Sequence, residues 1–427
     1  MSENKYDLCI VGGGPAGMTL AAFAARMGLS CVVIDARSSA HSEFRGESIA
    51  PDAVWVLRYL GILDKIAPSE TLDIVGLRLS DGGKQVLGID FAEFPYPEAN
   101  PAEIPQQLLL SALETLVTEK SNCLVYRNTR AVQLLRSQDG TVTGVFASDQ
   151  DRNKEKFYAR LTIGADGRYS TMRKLSGIQS QELALERDFL WFKMTYPEAW
   201  KAGPLFYRVN LKGNQQAVAI PTVPNLVRVG INIPKGSLKS MRSNDITVLH
   251  DVVGNLIPEL LPTVREEIRS WSDTRVLDIF TTYVKKWYMP GMILIGDAAH
   301  TLSPVLGQGI SHAICDAALL AFLIKDNIDQ SSEEVQQVLS DFQKERELSI
   351  ERARKLQLRQ ESLFKAKGLF PTLGRRLLYR GMNMSTAAKR KIWGNLYYAE
   401  QRNGLIKHYI ETECYPVPAE PPLFAEE

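Results

Sequence analysis

The chain has 427 residues, 45% of them hydrophobic and 23% charged, and its 50 lysines and arginines almost balance 49 aspartates and glutamates. A net charge of +1 gives no global attraction to nucleic acid or to an anionic membrane, and the hydrophobic fraction excludes a disordered chain. Five scattered cysteines without a C-x-x-C pair, and an N terminus unlike a signal peptide, predict a cytoplasmic protein. The five histidines form no spacing typical of a metal site, so we expect no bound metal.

The first forty residues predict a strand, a helix and a second strand. Tyr6–Val11 is short, apolar and followed by glycines, as expected of a strand that is buried on both faces. The alanine-rich stretch Met18–Met27 is typical of a helix, and Gly28 is placed to end it. Cys31–Ile34 predicts a second buried strand. We therefore expect a βαβ unit in a parallel sheet.

Glycines between the first strand and the helix follow the pattern G-x-G-x-x-G. They allow a tight turn, a close approach of the backbone to a pyrophosphate and close packing of helix on strand. The free N–H groups at the helix N terminus favour phosphate. An acid at the end of the second strand can accept hydrogen bonds from an adenosine ribose and disfavours a 2′-phosphate, which indicates FAD or NAD. The residues predicted to hold the dinucleotide are Gly12, Gly14, Pro15, Ala16, Gly17 and Asp35.

The rest of the chain predicts an α/β fold whose nucleotide-binding part is discontinuous. Leu161–Ala165 and Met292–Ile295 are typical of further strands in the same sheet, and Gln106–Lys120 and Gly309–Asp326 are typical of helices. Alternating apolar and polar residues over 193–234 predict antiparallel strands. We expect a nucleotide-binding domain formed by 1–70, 100–178 and 285–330, a substrate-binding β lobe formed by 71–99 and 179–284, and a helical C-terminal region over 331–427.

A second motif decides between FAD and NAD. Gly296 and Asp297 follow a predicted strand, and Asp297 is placed to accept a hydrogen bond from a hydroxyl of an extended polyol. The N–H groups of Gly309 and Ile310, where the next helix begins, are expected to face an electron-rich ring edge. An NAD dehydrogenase has no use for a second nucleotide-binding strand so far along the chain, whereas FAD, with its ribityl chain, does.

A third motif, Gly164-Ala165-Asp166-Gly167, lies between the other two and continues to Arg173. With these three motifs the chain resembles the FAD-dependent aromatic hydroxylases of the para-hydroxybenzoate hydroxylase type, the group A flavoprotein monooxygenases. The resemblance covers roughly Lys5 to Ala317 and places Asp166 in a segment that serves both FAD and NAD(P)H. It implies a Rossmann-like FAD-binding domain of the GR2 type, with an inserted antiparallel β-sheet lobe for the substrate and a helical C-terminal tail.

Shorter matches to the family add site residues. The resemblance places Arg45 in a loop that approaches the flavin and the pyridine nucleotide, so Arg45 is a candidate catalytic residue as well as a cofactor-binding one. One of Gln106 and Gln107 is expected to contact the FAD diphosphate or ribityl chain. The helical spacing to Leu110 and Leu113 favours Gln107.

Three further positions have two interpretations each. Val132 occupies a position at which the family's backbone often meets the adenine, although a plain strand residue would look the same. Ser311 stands where the family often has asparagine, which would alter one flavin contact. His300, directly after Asp297 and its two alanines, is a candidate catalytic base, although a structural role is commoner for such a histidine.

The resemblance implies an oxidoreductase with two half-reactions. NADH or NADPH reduces FAD, and the reduced flavin captures O₂ as a C4a-hydroperoxide that hydroxylates or epoxidises an apolar aromatic or conjugated small molecule. A pocket that excludes water is needed. The aromatic residues that could line it are Trp191, Phe192, Phe206, Tyr207, Trp271, Phe280 and Tyr283.

Other functions stay open. The segment Gly46-Glu47-Ser48 also resembles flavin-dependent halogenases, whose essential lysine could be Lys65 or Lys84. The W-x-W-x-I-P motif of halogenases lacks both tryptophans at 216–221. Geranylgeranyl reductases share the FAD-binding part, and a flavoprotein without turnover is the remaining alternative.

The segment 363–384 mixes leucine and phenylalanine with lysine and arginine. A basic amphipathic helix of this kind can lie on a membrane or cover a lipophilic substrate. The commoner arrangement packs the apolar side on the protein and leaves the charges in water, and we expect that arrangement here. The sequence leaves open whether the protein is a monomer or a homodimer.

Overall fold

A computed structural model describes residues 5–38, 47–303, 307–365 and 368–412 of the protein. In these ranges the strands are β1 (Lys5–Val11), β2 (Cys31–Ile34), β3 (Ser48–Ile49), β4 (Leu72–Asp73), β5 (Gly76–Asp81), β6 (Lys84–Asp90), β7 (Ala102–Glu103), β8 (Cys123–Tyr126), β9 (Arg130–Arg136), β10 (Val142–Ser148), β11 (Lys154–Gly164), β12 (Ser180–Ala184), β13 (Arg187–Thr195), β14 (Phe206–Lys212), β15 (Gln215–Thr222), β16 (Leu226–Pro234), β17 (Arg275–Leu277), β18 (Phe280–Val284), β19 (Tyr288–Met289) and β20 (Met292–Leu294). The helices are α1 (Pro15–Met27), α2 (Pro51–Tyr59), α3 (Gln106–Thr118), α4 (Thr171–Ser176), α5 (Glu198–Lys201), α6 (Leu238–Met241), α7 (Thr247–Leu256), α8 (Leu261–Glu267), α9 (Asp297–His300), α10 (Gly309–Lys325), α11 (Ser332–Lys365), α12 (Leu369–Asn383), α13 (Thr386–Tyr397), α14 (Ala399–Asn403) and α15 (Leu405–Thr412).

The sheet that carries the glycine-rich motifs has a parallel centre. Its strands run in the order β19-β20-β11-β1-β2-β8, and β10 and β9 extend it beside β11. The consecutive residues Leu8, Cys9 and Ile10 of β1 are all 0% exposed, so both faces of the sheet are covered. Helix α1 packs with α3 and α10 against it. The four strands predicted for this sheet and the two long helices are confirmed.

Helix α1 begins earlier than the sequence predicted. The prediction placed its first residue at Met18, whereas the helix begins at Pro15, with Gly14 as its N-cap. Proline suits the first turn of a helix because its φ is already helical and its missing N–H would find no partner there. At the other end Gly28 adopts a φ of 78° and its N–H donates to the carbonyl of Ala24, as predicted for a C-cap.

The second large sheet has seven strands in the order β17-β13-β16-β15-β14-β5-β6. The antiparallel pairing of β13, β16, β15 and β14 confirms the prediction for 193–234. Strands β14 and β5 are parallel, with Val209 aligned to Leu79. Alternation alone did not reveal this pair, because it marks one exposed face and says nothing about which distant strand is the neighbour.

The two faces of the seven-stranded sheet have different partners. Leu190 and Phe192 point to one face and pack with residues of α7 and α8. Trp191, Lys193 and Arg228 lie on the opposite face, and Lys193 and Arg228 contact the segment that leads into β3. That opposite face is therefore the one turned toward the glycine-rich motifs. The predicted domain boundaries stay predictions.

A three-stranded sheet, in the order β3-β7-β4, joins these two parts. Ser48 of β3 is aligned with Glu103 of β7. The N–H of Ile104 donates to the carbonyl of Glu47 at 2.9 Å. Two acidic residues from distant segments, Glu47 and Glu103, are thereby brought side by side at the junction.

A buried chain of charges holds the C-terminal helices. Arg346 of α11 is 1% exposed, and its Nε lies 2.7 Å from Oδ1 of Asp316 in α10. The same guanidinium pairs with Glu400 of α14. The other oxygen of Asp316 lies 2.6 Å from Nε2 of His300. One arginine therefore links α9, α10, α11 and α14.

Helix α12 is oriented opposite to the expectation. Its charged Arg375 and its Tyr379 are buried, whereas Phe370, Leu373 and Leu377 are 84%, 51% and 60% exposed. The expectation that the apolar side of 363–384 packs on the protein is therefore wrong for this helix. No described helix is long and apolar enough to cross a bilayer.

Replacing Arg346 with methionine should lower the free energy of unfolding by about 3–5 kcal/mol, because Asp316 and Glu400 are left buried without their counterion. Urea-induced unfolding followed by circular dichroism measures this loss. Lys355→Met is the control, since it removes an exposed pair with Glu351 on the same helix and should cost less than about 0.5 kcal/mol. Equal losses in the two variants would contradict the role given to Arg346.

Candidate functional site

The turn between β1 and α1 is built around three glycines. The φ of Gly12 is 115°, and a Cβ atom on it would lie 2.3 Å from the carbonyl oxygen of Ala165. A Cβ atom on Gly17 would lie 1.9 Å from the carbonyl oxygen of Gly12. Both glycines are therefore required by the packing of the protein itself. Among the described residues, a Cβ on Gly14 would meet nothing within 4 Å. Gly14 thus lies beside a space at the N terminus of α1 that no described residue fills.

The open N terminus of α1 has the properties of an anion site. No side chain caps it, and its first turn contains no acidic residue. The N–H groups that lack helical partners and the positive end of the helix dipole therefore point to the space beside Gly14. Pro15 and Ala16 form the start of this turn. The arrangement suits a pyrophosphate.

Asp35 follows β2 and is paired with two arginines. Its Oδ2 lies 2.7 Å from Nη2 of Arg37 and 2.8 Å from Nη1 of Arg127. A Cβ on Gly13 would lie 2.5 Å from the same oxygen, so glycine there lets the carboxylate approach the turn. Arg127 was not among the predicted site residues. The signal for it is its position directly after β8, which pairs with β2 and so ends at the same edge of the sheet.

The two aspartates of the other motifs lie at neighbouring strand ends. Asp166 accepts hydrogen bonds from Ser170 and from the N–H of Met172 and thereby fixes the start of α4, and burial raises its pKa. Asp297 is more open, and its Oδ2 lies 3.3 Å from Nε of Arg168. Strands β11 and β20, which precede these residues, are parallel neighbours. The two motifs thus meet at one edge of the sheet.

The start of α10 lies beside both Asp297 and β3. A Cβ on Gly309 would be 3.9 Å from Oδ1 of Asp297, and one on Gly307 would be 3.7 Å from Cβ of Ser48. Ser311 accepts a hydrogen bond from the N–H of Ala50 at 2.8 Å. The N-terminal turn of α10, with Gly309 and Ile310, therefore approaches the junction between the two large sheets. Arg45, predicted for the same neighbourhood, lies outside the described residues.

The two glutamines at the start of α3 have different surroundings. Gln107 is exposed, whereas Gln106 is 8% exposed and its Oε1 has no hydrogen-bond partner among the described residues. Leu109, Leu110 and Leu113 are buried and follow Gln106 at spacings of three, four and seven, which places Gln106 on the inner face. Gln106 therefore lies on the inner face of α3, and the expected contact of Gln107 with FAD stays a prediction.

Val132 and His300 occupy different surroundings. Val132, 42% exposed, lies in β9 where the pairing with β10 shifts between Ala131 and Gln133, and its role at the adenine stays a prediction. His300 is 2% exposed and is held between Asp316 and the ring of Trp287. Its enclosure favours the structural interpretation over the catalytic one.

A buried cluster of charges lies at the junction of the two large sheets, and Glu47 is its first member. Its Oε1 accepts a hydrogen bond from Lys193 at 2.6 Å, and its Oε2 accepts one from Thr222 at 2.7 Å. Nη1 of Arg228 lies 3.6 Å from the same Oε2. Burial alone would raise the pKa of Glu47, but Arg228 and Lys193 outweigh it, so this pKa lies below its usual range. Glu47 is a permanent anion.

Glu103 is the second carboxyl of the cluster and behaves differently. It is 0% exposed, its Oε1 accepts a hydrogen bond from Tyr207 at 2.7 Å, and its Oε2 lies 3.6 Å from Nη2 of Arg228. Burial raises the pKa of Glu103 to about 7, against the opposing charge of Arg228. Two carboxyls that share one arginine thus have pKa values pushed apart, an arrangement typical of acid–base sites.

Several polar atoms of this cluster are buried without a partner. Among the described residues, Nε of Arg228, Nε1 of Trp191 and Oε2 of Glu103 make no hydrogen bond. The guanidinium of Arg228 lies 5.4 Å from the centre of the Trp191 ring. A Cβ on Gly230 would lie 2.7 Å from that ring, so only glycine leaves room for it. Unpaired buried polar groups are costly, and their grouping here points to a bound ligand that pairs with them.

The aromatic residues predicted to line one pocket are dispersed. Trp191 and Tyr207 lie at the cluster. Phe192 packs on the opposite face of the sheet, and Trp271 packs against the same core. Phe206 lies under the guanidinium of Arg78 at 3.8 Å. The remaining two, Phe280 and Tyr283, belong to β18, which pairs only with β12 among the described strands.

The described residues include no group of three or more His, Cys, Asp or Glu that could hold a metal ion.

Comparisons with known proteins agree with this geometry. Residues 5–355 match the model of a family described as an FAD binding domain. A 6-methylpretetramide 4-monooxygenase of Streptomyces rimosus is 31% identical over 312 residues, which cover 73% of each chain. A probable NADH-specific resorcinol 4-hydroxylase of Rhodococcus jostii is 25% identical and is matched over 75% of this chain and 59% of its own. The crystal structure of p-nitrophenol 4-monooxygenase PnpA from Pseudomonas putida superimposes with a TM-score of 0.78 at 19% identity, covering 94% of this chain and 99% of that one.

Replacing Gly14 with alanine should weaken FAD binding at least about tenfold while leaving the stability of the apoprotein unchanged, because the new methyl group enters only the space that faces the ligand. Titration of apoprotein with FAD, followed by flavin fluorescence, measures the affinity. Gly12→Ala is the contrasting variant, since its methyl group meets Ala165 and should lower the melting temperature of the apoprotein. Unchanged FAD affinity in Gly14→Ala would contradict a pyrophosphate at this position.

Proposed function

The chain belongs to the FAD-binding family of group A flavoprotein monooxygenases, and on this premise we propose that it hydroxylates an apolar phenolic substrate. It is an FAD-dependent oxidoreductase that uses NADH or NADPH and O₂. The observation that carries the proposal is Glu103, a buried carboxyl that titrates near neutrality beside Arg228. Relatives named for 6-methylpretetramide and resorcinol support an aromatic substrate.

The residues around α1 and α10 fit FAD. The space at Gly14 that no described residue fills suits its pyrophosphate, and Oε1 of Gln106, which has no hydrogen-bond partner in the described ranges, suits a hydroxyl of its ribose or ribityl chain. When bound, FAD supplies the chemistry of oxygen activation and transfer. We assign its binding to Gly12, Gly14, Pro15, Ala16, Gly17, Asp35, Gln106, Asp166, Asp297, Gly309 and Ile310.

We propose that the side chains of Arg228 and Trp191 bind the substrate. Each has a buried N–H donor without a hydrogen-bond partner among the described residues, and both lie on the sheet face turned toward the flavin-binding loops. A phenolic oxygen between them would accept these hydrogen bonds, and the charge of Arg228 would stabilise that oxygen after it loses its proton. An ionised hydroxyl donates electron density into the ring, which makes the ring carbons better targets for an electrophilic oxygen.

Glu103 is the proposed proton acceptor. Among the described residues its Oε2 makes no hydrogen bond, and its pKa of about 7 lets it accept a proton at neutral pH without holding it permanently. The hydroxyl of Tyr207, bonded to the other oxygen, fixes the orientation of the carboxyl. Glu47 stays ionised and balances Lys193 and Arg228.

Halogenation has less support. Lys65 pairs with Glu119 at 2.8 Å near the surface, and Lys84 is exposed at the start of β6. Neither lysine reaches the buried cluster, where the amine of Lys193 is bonded to Glu47.

We also propose that the enzyme works in the cytoplasm, since the thiols of Cys9, Cys31, Cys123 and Cys315 are free and buried.

Glu103→Gln should reduce the rate of product formation about a hundredfold, because a general base contributes roughly 10²–10⁴-fold, while NADH-dependent reduction of the flavin continues. In the wild type the rate should rise with pH through about 7, since Glu103 accepts a proton only after it has lost its own. The variant should lack this rise. Mass spectrometry of products from resorcinols and polycyclic phenols, beside NADH consumption, measures both effects.

The matched control is Glu155→Gln, which neutralises an exposed glutamate on β11 and should change neither rate nor pH profile. Two results would refute the role of Glu103: equal loss in both variants, or a wild-type rate that falls as the pH rises through 7. Brominated products in the presence of bromide would show that the enzyme is a halogenase and not a hydroxylase.

A further inference from the structure

Helix α12 meets the body of the protein through its charged side. Arg375 is 2% exposed, and its Nη2 lies 2.7 Å from Oδ2 of Asp81 at the end of β5. Arg376 pairs with the other oxygen of the same carboxylate at 3.2 Å. Tyr379, one turn after Arg375, is buried in an aromatic cluster with residues of α13. These contacts fix which side of the helix faces outward.

The outward side is apolar. Phe370, Leu373, Leu377 and Met384 follow one another at spacings of three, four and seven residues, so they lie on one face. Their exposed fractions are 84%, 51%, 60% and 88%. We call these four residues the apolar stripe. Single exposed apolar residues are ordinary, but a continuous row of large ones marks an interaction site.

The surroundings of the apolar stripe are strongly basic. From Ser362 to Ala399 the chain contains eight lysines and arginines and no acidic residue, although the whole protein has a net charge of only +1. Arg375 and Lys389 are used in pairs with Asp81 and Glu93. Three others are exposed near the stripe or on the following helix, namely Arg380, Arg390 and Lys391.

We propose that the apolar stripe and these basic residues dock the protein on the surface of an anionic lipid bilayer, with α12 lying in the plane of the interface. Apolar side chains enter the boundary between headgroups and acyl chains, and lysines and arginines beside them attract the anionic headgroups. A second copy of the chain fits less well, because two such faces would bring like charges together. Helices α12 and α13 cover the substrate lobe at Tyr207, so docking brings that lobe to the membrane.

Co-sedimentation of the holoenzyme with vesicles tests the proposal. We expect binding to phosphatidylcholine vesicles that contain phosphatidylglycerol, weaker binding to phosphatidylcholine alone, and a decrease as salt is added. Leu373→Gln/Leu377→Gln should lower the partition coefficient at least about tenfold, since each leucine buried in the interface contributes more than a tenfold effect. Arg380→Ala should lower it about fivefold.

Leu348→Gln is the matched control, because Leu348 is 56% exposed on α11, away from the stripe. It should bind vesicles like the wild type, and all variants should keep their FAD content and NADH oxidation. The proposal is overturned by any of three results. The first is an absence of binding to the anionic vesicles, and the second is binding that the double variant retains. The third is a dimer in sedimentation velocity that the double variant abolishes, which would identify a second copy as the occupant.

Discussion

The organisation of the protein depends on one buried guanidinium. Arg228 comes from the seven-stranded sheet, and its two carboxylate partners, Glu47 and Glu103, come from the three-stranded sheet and the segment that leads into it. One positive charge cannot fully balance two negative ones in a medium that screens poorly. Lys193 also pairs with Glu47, whereas Glu103 is fully buried, and this burial raises the pKa of Glu103 to about 7. The contact that joins the two parts of the molecule therefore also creates its acid–base group.

A second buried network has a structural outcome instead. Asp316 is enclosed, but Arg346 and His300 both bond it, so its pKa lies well below the usual range despite burial. His312 beside it has a pKa lowered to about 3 by burial and by the charges of Arg346 and His300. The carboxylates of Asp316 and Glu400 both pair with the same buried guanidinium of Arg346. The contrast with Glu103 shows why compensation, rather than burial alone, separates a structural ion pair from a reactive one.

Local patterns in the sequence predicted the nucleotide-binding part well. Gly12 and Gly17 are required by contacts within one βαβ unit, so their spacing carries the information. The contacts between Glu103 and Arg228 join residues from two sheets, and no local pattern encodes such a pairing. The sequence did not reveal which of Gln106 and Gln107 lies on the buried side of α3, and which of them contacts FAD stays a prediction. Leucines follow both residues at helical spacing, and only packing against α1 distinguishes them.

The orientation of α12 was mispredicted for a related reason. Amphipathicity separates two faces of a helix but does not say which one meets the protein. Here Asp81, buried in a hairpin of the β lobe, draws Arg375 inward and leaves the apolar face outside. The near-neutral charge of the chain conceals this local asymmetry.

If Arg228 holds the ionised phenol of the substrate, it should lower the apparent pKa of a bound nitrophenol. The absorbance of a nitrophenol reports its ionisation, so titration of the complex can be compared between the wild type and Arg228→Met. We expect the bound phenol to ionise at lower pH than in water in the wild type, and this shift to disappear in the variant. An equal shift in both proteins, or none in the wild type, would contradict it.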